Sequence, residues 1–73
     1  MAHTTWQEAA DDFWREVRGT VRENGRSAVE AEECVARYRE TLRGLGVSEG
    51  LVYHHGVEAA ATAAMQVHGA LFR

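Results

Sequence analysis

The stretch from Ser27 to Leu45 constrains the fold most, because it carries the signals of a helix that packs along one side. Ser27 and Glu30 have the spacing of a capping box, in which each side chain bonds the other residue's backbone N–H at a helix start. Gly44 and Gly46 offer the left-handed residue that commonly ends a helix. Between these signals, apolar residues recur at steps of three and four and so share one stripe of the helix. The stripe consists of Ala28, Ala31, Val35, Tyr38, Leu42 and Leu45, with Cys34 beside them. Such a stripe predicts apolar partners elsewhere in the fold.

The segment before this stretch predicts a second amphipathic helix, over residues 5–24. Asn24 and Gly25 form a strong turn signal that should end it. The connection to the next helix is short, so the two helices are expected to be antiparallel neighbours with facing stripes. The apolar face of this helix consists of Trp6, Ala10, Phe13, Val17 and Val21, widened by Ala9 and Trp14.

The last segment predicts a third, alanine-rich helix over residues 48–72, with Ser48 as its N-cap. Its apolar side covers nearly half the circumference, more than the ~100° stripe that a surface helix needs for one core. Either two neighbours within the chain cover this side, or one neighbour belongs to another chain. We expect an all-α fold, a small three-helix bundle completed by homo-oligomerisation. Residues 1–73 are expected to form a single helical domain, with helices over roughly residues 5–24, 27–44 and 48–72.

Length and composition limit how such a chain is stabilised. A chain of 73 residues buries only about 60% of its unfolded surface, and domains of this size often need disulfides, a metal or oligomerisation. A single cysteine excludes an internal disulfide and fits a reducing compartment, so a cytoplasmic location is expected. With a net charge of −3 and no apolar run near the ~20 residues of a membrane span, we expect no direct nucleic-acid partner and no membrane.

The sequence lacks the spacings that catalysis requires. Cys34 has no histidine near it in the sequence, although a catalytic cysteine needs a base, and a free cysteine is usually a small core residue. Serine hydrolase signals, a phosphate-binding glycine loop and zinc-finger spacing are absent from the sequence. We therefore expect a non-enzymatic protein without a cofactor.

The first functional hypothesis is a protein–protein interaction module that associates with itself through the third helix and also binds another protein. His54, Ala61 and His68 are spaced by seven, so two antiparallel helices crossing at Ala61 would bring His54 of one chain to His68 of the other. Such a contact would respond to pH near the histidine pKa of about 6.5. An incompletely covered tryptophan is a typical interface anchor. The predicted interface residues are Trp6, Trp14, Tyr53, Gly56, Val57, Ala60, Ala61, Ala64 and His68. The alternative is that these alanines and tryptophans are core.

A second hypothesis is a weak metal-binding or pH-responsive protein. His54 and His55 lie four and three residues before Glu58, so one helical turn could present two metal ligands. His68 is a candidate for a further ligand. The alternative is a polar, solvated helix edge.

A third hypothesis uses the acidic N-terminal flank, formed by Glu8, Asp11, Asp12 and Glu16. Such a surface could bind a basic partner, or imitate nucleic-acid phosphate in a small inhibitor or decoy of a nucleic-acid-processing protein. The alternative is that acidic residues simply favour the first turns of a helix, where they oppose the positive end of the macrodipole.

Overall fold

The computed structural model describes the backbone of residues 6–71 and the side chains of residues 9–69. The described residues form the helices α1 (Trp6–Glu23), α2 (Ala28–Leu45), α3 (Glu49–His55) and α4 (Val57–Leu71), with no strand among them. The all-helical prediction is thus confirmed. No helix in this part of the chain has the length and apolar character needed to cross a membrane.

The predicted start and end of α2 are confirmed in atomic detail. The backbone N–H of Glu30 donates to Oγ of Ser27 at 3.1 Å, and the backbone N–H of Ser27 donates to Oε1 of Glu30 at 3.2 Å. At the other end, Gly46 has a left-handed φ of 73° and its N–H donates to the carbonyl of Arg43 at 3.1 Å. Both signals act between residues close in sequence, so the sequence alone was sufficient to find them.

The structure corrects the prediction of one helix over residues 48–72, because α3 and α4 are separate helices. Gly56 lies between them with φ 98° and ψ 171°, a backbone conformation that residues other than glycine rarely adopt. Ser48 does begin α3, since its Oγ accepts the backbone N–H of Gly50 at 3.2 Å. The described residues therefore form four helices where three were predicted. His54, Ala61 and His68 do not share one continuous helix.

The core is closed by α4, which packs against both α1 and α2. Small side chains on α4 let its backbone come close to both neighbours, while α1 supplies the bulk. In the stripe of α2, Ala31, Val35 and Leu42 are buried and Tyr38 is half-buried. At the two ends of the stripe, Ala28 is exposed and Leu45 is 73% exposed. The buried residues are Trp14, Val17, Val21, Ala31, Cys34, Val35, Leu42, Val52, Ala60, Ala61 and Ala64.

Candidate functional site

The predicted interface on the alanine-rich helix lies inside the chain. Ala60, Ala61 and Ala64 are at most 2% exposed and belong to one cluster with buried residues of α1 and α2. Trp14 is 1% exposed in the same cluster. These four residues are core, as the alternative interpretation held, because α4 has two neighbours in its own chain.

The other predicted interface residues also contact their own chain. Tyr53 and Val57 are partly buried against the core, and Gly56 forms the break between α3 and α4. The side chain of His68 is only 12% exposed, and its Nε2 lies 3.8 Å from Oε2 of Glu33 on α2. The side chain of Trp6 lies outside the described residues.

The histidines proposed as metal ligands are not brought together. His54 and His55 are exposed at the end of α3 with ring centroids 6.0 Å apart, and Glu58 is exposed at the start of α4. His68 lies about 15 Å further along the axis of α4 than Glu58, at 1.5 Å per residue. Within the described part of the chain, no group of three or more His, Cys, Asp or Glu side chains could hold a metal ion.

A network that the sequence did not indicate joins three helices at one end of the bundle. The indole Nε1 of Trp14 donates to Oε1 of Glu49 at 2.9 Å. Nε of Arg39 donates to the same oxygen at 2.9 Å, and its guanidinium carbon lies 5.0 Å from the centroid of the Trp14 ring system. This Trp14–Arg39–Glu49 network satisfies the indole N–H and fixes the N-terminal end of α3 to α1 and α2.

Two further titratable side chains are removed from water, Cys34 within the core and Tyr38 partly buried against it. The thiol of Cys34 is fully buried, and burial raises its pKa. Burial likewise raises the pKa of the Tyr38 hydroxyl, whose ring packs edge-on against Trp14 at 6.1 Å. Both groups therefore stay protonated at neutral pH, where a protonated thiol is a poor nucleophile.

The described surface has a groove along the line where α1 and α2 meet. We call this the α1–α2 groove. Its two sections have volumes of about 380 and 500 Å³ and share Arg18 and Glu32 in their walls. Its charged lining comprises four arginines and two glutamates: Arg15, Arg18, Arg22, Arg39, Glu32 and Glu33. The groove thus has an excess of positive charge in a chain whose net charge is −3.

The arginines contributed by α1 are available to bind. Arg18 is half-buried and Arg22 is exposed, and neither guanidinium makes a hydrogen bond or an ion pair with the described residues. Arg15 pairs with Asp12 at 3.3 Å, but both side chains are about 70% exposed, where such a pair contributes little. The sequence gave no signal that α2 would form a second wall beside these arginines.

Apolar surface lies between the charged residues of the groove. Val29 lines it and is 70% exposed, the second most exposed of the large apolar side chains described. Gly19, in the C-terminal half of α1, leaves the opposite wall without a side chain, and a Cβ placed there would meet no atom within 4 Å. The groove can therefore accept an apolar side chain as well as an anion.

The acidic flank of α1 is exposed as expected, although the side chain of Glu8 lies outside the described residues. Asp11, Asp12 and Glu16 are all exposed. Asp12 is the member that pairs with a groove arginine, so the acidic flank and the basic groove are adjacent on α1.

Chemically, the α1–α2 groove suits binding. Guanidinium groups recognise carboxylates and phosphates through charge-assisted, often paired hydrogen bonds, and the exposed valine offers apolar contact. Comparison with known proteins found no matching family model, no matching curated protein and no matching solved structure.

Proposed function

We propose that this chain is a small non-enzymatic protein-interaction module that binds a partner protein in the α1–α2 groove. One observation carries the proposal. Arg18 and Arg22 have no anionic partner in the described part of the chain, and they line the same section of the groove as the exposed Val29. Protein interfaces are enriched in arginine and combine such polar groups with apolar contact. A cytoplasmic location belongs to the proposal, because the chain's one cysteine is unpaired.

The proposal moves the binding surface from α4 to the opposite side of the bundle's core. Self-association, which the sequence also suggested, would have to use a surface other than the buried alanines of α4. Sedimentation equilibrium over a range of concentrations measures that association directly. A second copy of this chain is one of the partners that the photocrosslinking experiment below can identify.

The test is site-specific photocrosslinking in the cells that express the protein. A benzoylphenylalanine placed at Val29 reports on the groove, and one placed at Gln66, exposed on α4, is the matched control. We expect a discrete protein adduct from position 29 that is absent from position 66, and mass spectrometry identifies its partner. Adducts that are absent, or equal at the two positions, would contradict the proposal.

A filled groove provides the second control. Gly19→Leu adds a side chain where the structure has free space, so the fold should tolerate it. The variant should remove the adduct from position 29 while its circular dichroism spectrum stays helical. An adduct that persists at full yield in this variant would place the binding surface elsewhere.

A further inference from the structure

We infer that the segment bound by the α1–α2 groove is an acidic amphipathic helix of another protein. This inference rests on the proposed function and adds the chemistry of the partner. The groove fits such a helix in three respects: the spacing of its arginines, its apolar surface and the placement of its own acidic residues.

The arginines on α1 form a regular row. Arg15, Arg18 and Arg22 follow one another at steps of three and four, so they occupy one side of α1 over about 10 Å. A second helix lying along this row presents side chains at the same steps. Glutamate or aspartate at those steps would face all three guanidinium groups together.

Half-buried Arg18 is the centre of this row and contributes to both sections of the groove. A charge partly removed from water interacts more strongly with an opposite charge than a fully exposed one does. The carboxylate that meets Arg18 should therefore contribute more to affinity than those that meet Arg15 or Arg22.

The apolar surface indicates that the partner carries at least one apolar side chain between its carboxylates. Val29 is 70% exposed across the groove from the bare backbone of Gly19. A leucine or methionine of the partner helix would cover both. Helices recognised in grooves commonly bind in this way, with apolar anchors at helical spacing.

The groove's own acidic residues favour a polypeptide over a nucleic acid. Glu32 stands in both sections and Glu33 in one, so a continuous phosphate backbone would pass close to like charge. A helix can place a neutral side chain opposite each glutamate and its carboxylates elsewhere.

The experiment is a selection from a displayed library of helical peptides, followed by affinity measurements on synthetic copies of the enriched peptides. We expect enriched sequences with acidic residues at steps of three or four around one leucine, methionine or phenylalanine. Binding should weaken as salt is raised, because the contacts lie near the surface.

Variants of the groove then test the charge pairing. Arg18→Gln should weaken binding by about threefold and Arg18→Glu by about tenfold, since reversal adds repulsion to the lost attraction. Glu32→Gln should strengthen binding by about twofold, because it removes a like charge. Arg43→Glu is the matched control: it changes the net charge as Arg18→Glu does, but Arg43 is exposed outside the groove, so affinity should change by less than about twofold.

Gly19→Leu separates loss of binding from loss of fold. The variant should lose more than about tenfold in affinity, because the new side chain occupies the space of the apolar anchor, and it should unfold at no lower temperature. Enriched peptides that are neutral or basic, yet depend on Gly19, would overturn the inference and leave the proposed function standing.

Two other outcomes also overturn the inference. The first is a selection in which no enriched peptide loses affinity for the Gly19→Leu variant. The crosslink from position 29 then tests the proposed function independently. A single-stranded oligonucleotide that binds through Arg18 more tightly than any enriched peptide would show that the groove takes phosphate.

Discussion

Arg39 and Arg18 both line the α1–α2 groove, but the fold supplies a partner for one of them. Arg39 bonds Glu49 at 2.9 Å and lies over the ring of Trp14, whereas Arg18 makes no ion pair with the described residues. The residue type is the same at both positions. The difference is that α3 brings a carboxylate to the Arg39 end of the groove, and α1 and α2 alone form the other end. The Trp14–Arg39–Glu49 network should therefore matter for stability, and the row from Arg15 to Arg22 for binding.

The largest expected effect is at the centre of the network. Trp14→Ala should lower the free energy of unfolding by about 3–5 kcal/mol, because it removes a fully buried aromatic ring and leaves a cavity. A domain of this size has roughly 4–11 kcal/mol of stability, so much of the population should unfold. Val29→Ala, at an exposed position in the groove, is the control and should cost less than about 0.5 kcal/mol. Urea denaturation followed by circular dichroism measures both, and equal losses would remove the contrast between the two regions.

The two kinds of arginine give the direct comparison. Arg39→Ala should lower the free energy of unfolding by about 1–2 kcal/mol. This value is the usual contribution of hydrogen bonds to a charged group, reduced because the Arg39 side chain is one-third exposed. Arg22→Ala should stay within about 0.5 kcal/mol, since Arg22 is exposed and makes no bond within the described residues.

A double-mutant cycle with Glu49→Ala tests whether the cost comes from the ion pair itself. Arg39 and Glu49 should show a coupling energy of about 0.5–1 kcal/mol, and Arg22 with Glu49 should show none. A coupling energy between Arg22 and Glu49 would mean that charges interact along the whole α1–α2 groove. The network would then not be a separate region.

A stabilising change is expected inside the groove. Gly19→Ala should raise the free energy of unfolding by about 0.5–1 kcal/mol, because alanine favours a helix interior and its Cβ would meet nothing. Gly56→Ala is the matched control, since the same substitution at φ 98° should destabilise by about 1 kcal/mol or more. Thermal unfolding compares the two, and a loss at Gly19 would show that α1 needs glycine for its structure.

The smallest effect concerns pH at the start of α2, beside the groove. Hydrogen bonds with Ser27 hold the pKa of Glu30 below its usual range, helped by Arg26 at 3.8 Å. Folding thus favours the ionised carboxylate, and the resulting stability is present above about pH 5 and lost as the pH falls through the lowered pKa.

Glu30→Gln should reduce this acid dependence of the free energy of unfolding. Chemical denaturation between about pH 3 and pH 7 measures it. Glu40→Gln is the control, because Glu40 is an exposed carboxylate of the same helix without a hydrogen bond in the described residues. A Glu30→Gln profile identical to that of the unaltered chain would contradict the assignment.

The sequence predicted features that depend on neighbouring residues and missed those that depend on distant ones. The capping box at Ser27 and the glycine stop at Gly46 were correct because each acts within one helical turn. The break at Gly56 was missed because a glycine in this sequence context is compatible with both a continuous helix and a break at a positive φ. The breadth of the apolar face was seen, but a helical wheel does not tell whether its second neighbour is another chain or, as here, the same chain.

The candidate site was less predictable than the fold. A groove needs two walls, and the wall that faces Arg18 and Arg22 comes from residues of α2 about ten positions later. Glu49 lies 35 residues from Trp14, and no local pattern joins them. Such pairings follow from how the helices pack, which single-sequence periodicity does not specify.

The seven residues of α3 have a consequence for motion in this molecule. Helices shorter than about 12–15 residues are marginal in isolation, so α3 depends on its docking against the bundle. We expect its amide hydrogens to exchange with solvent as one unit, earlier than those in the middle of α1, α2 and α4. Each such local unfolding event would free the indole of Trp14 from Glu49, which makes tryptophan emission an internal reporter of the undocked state.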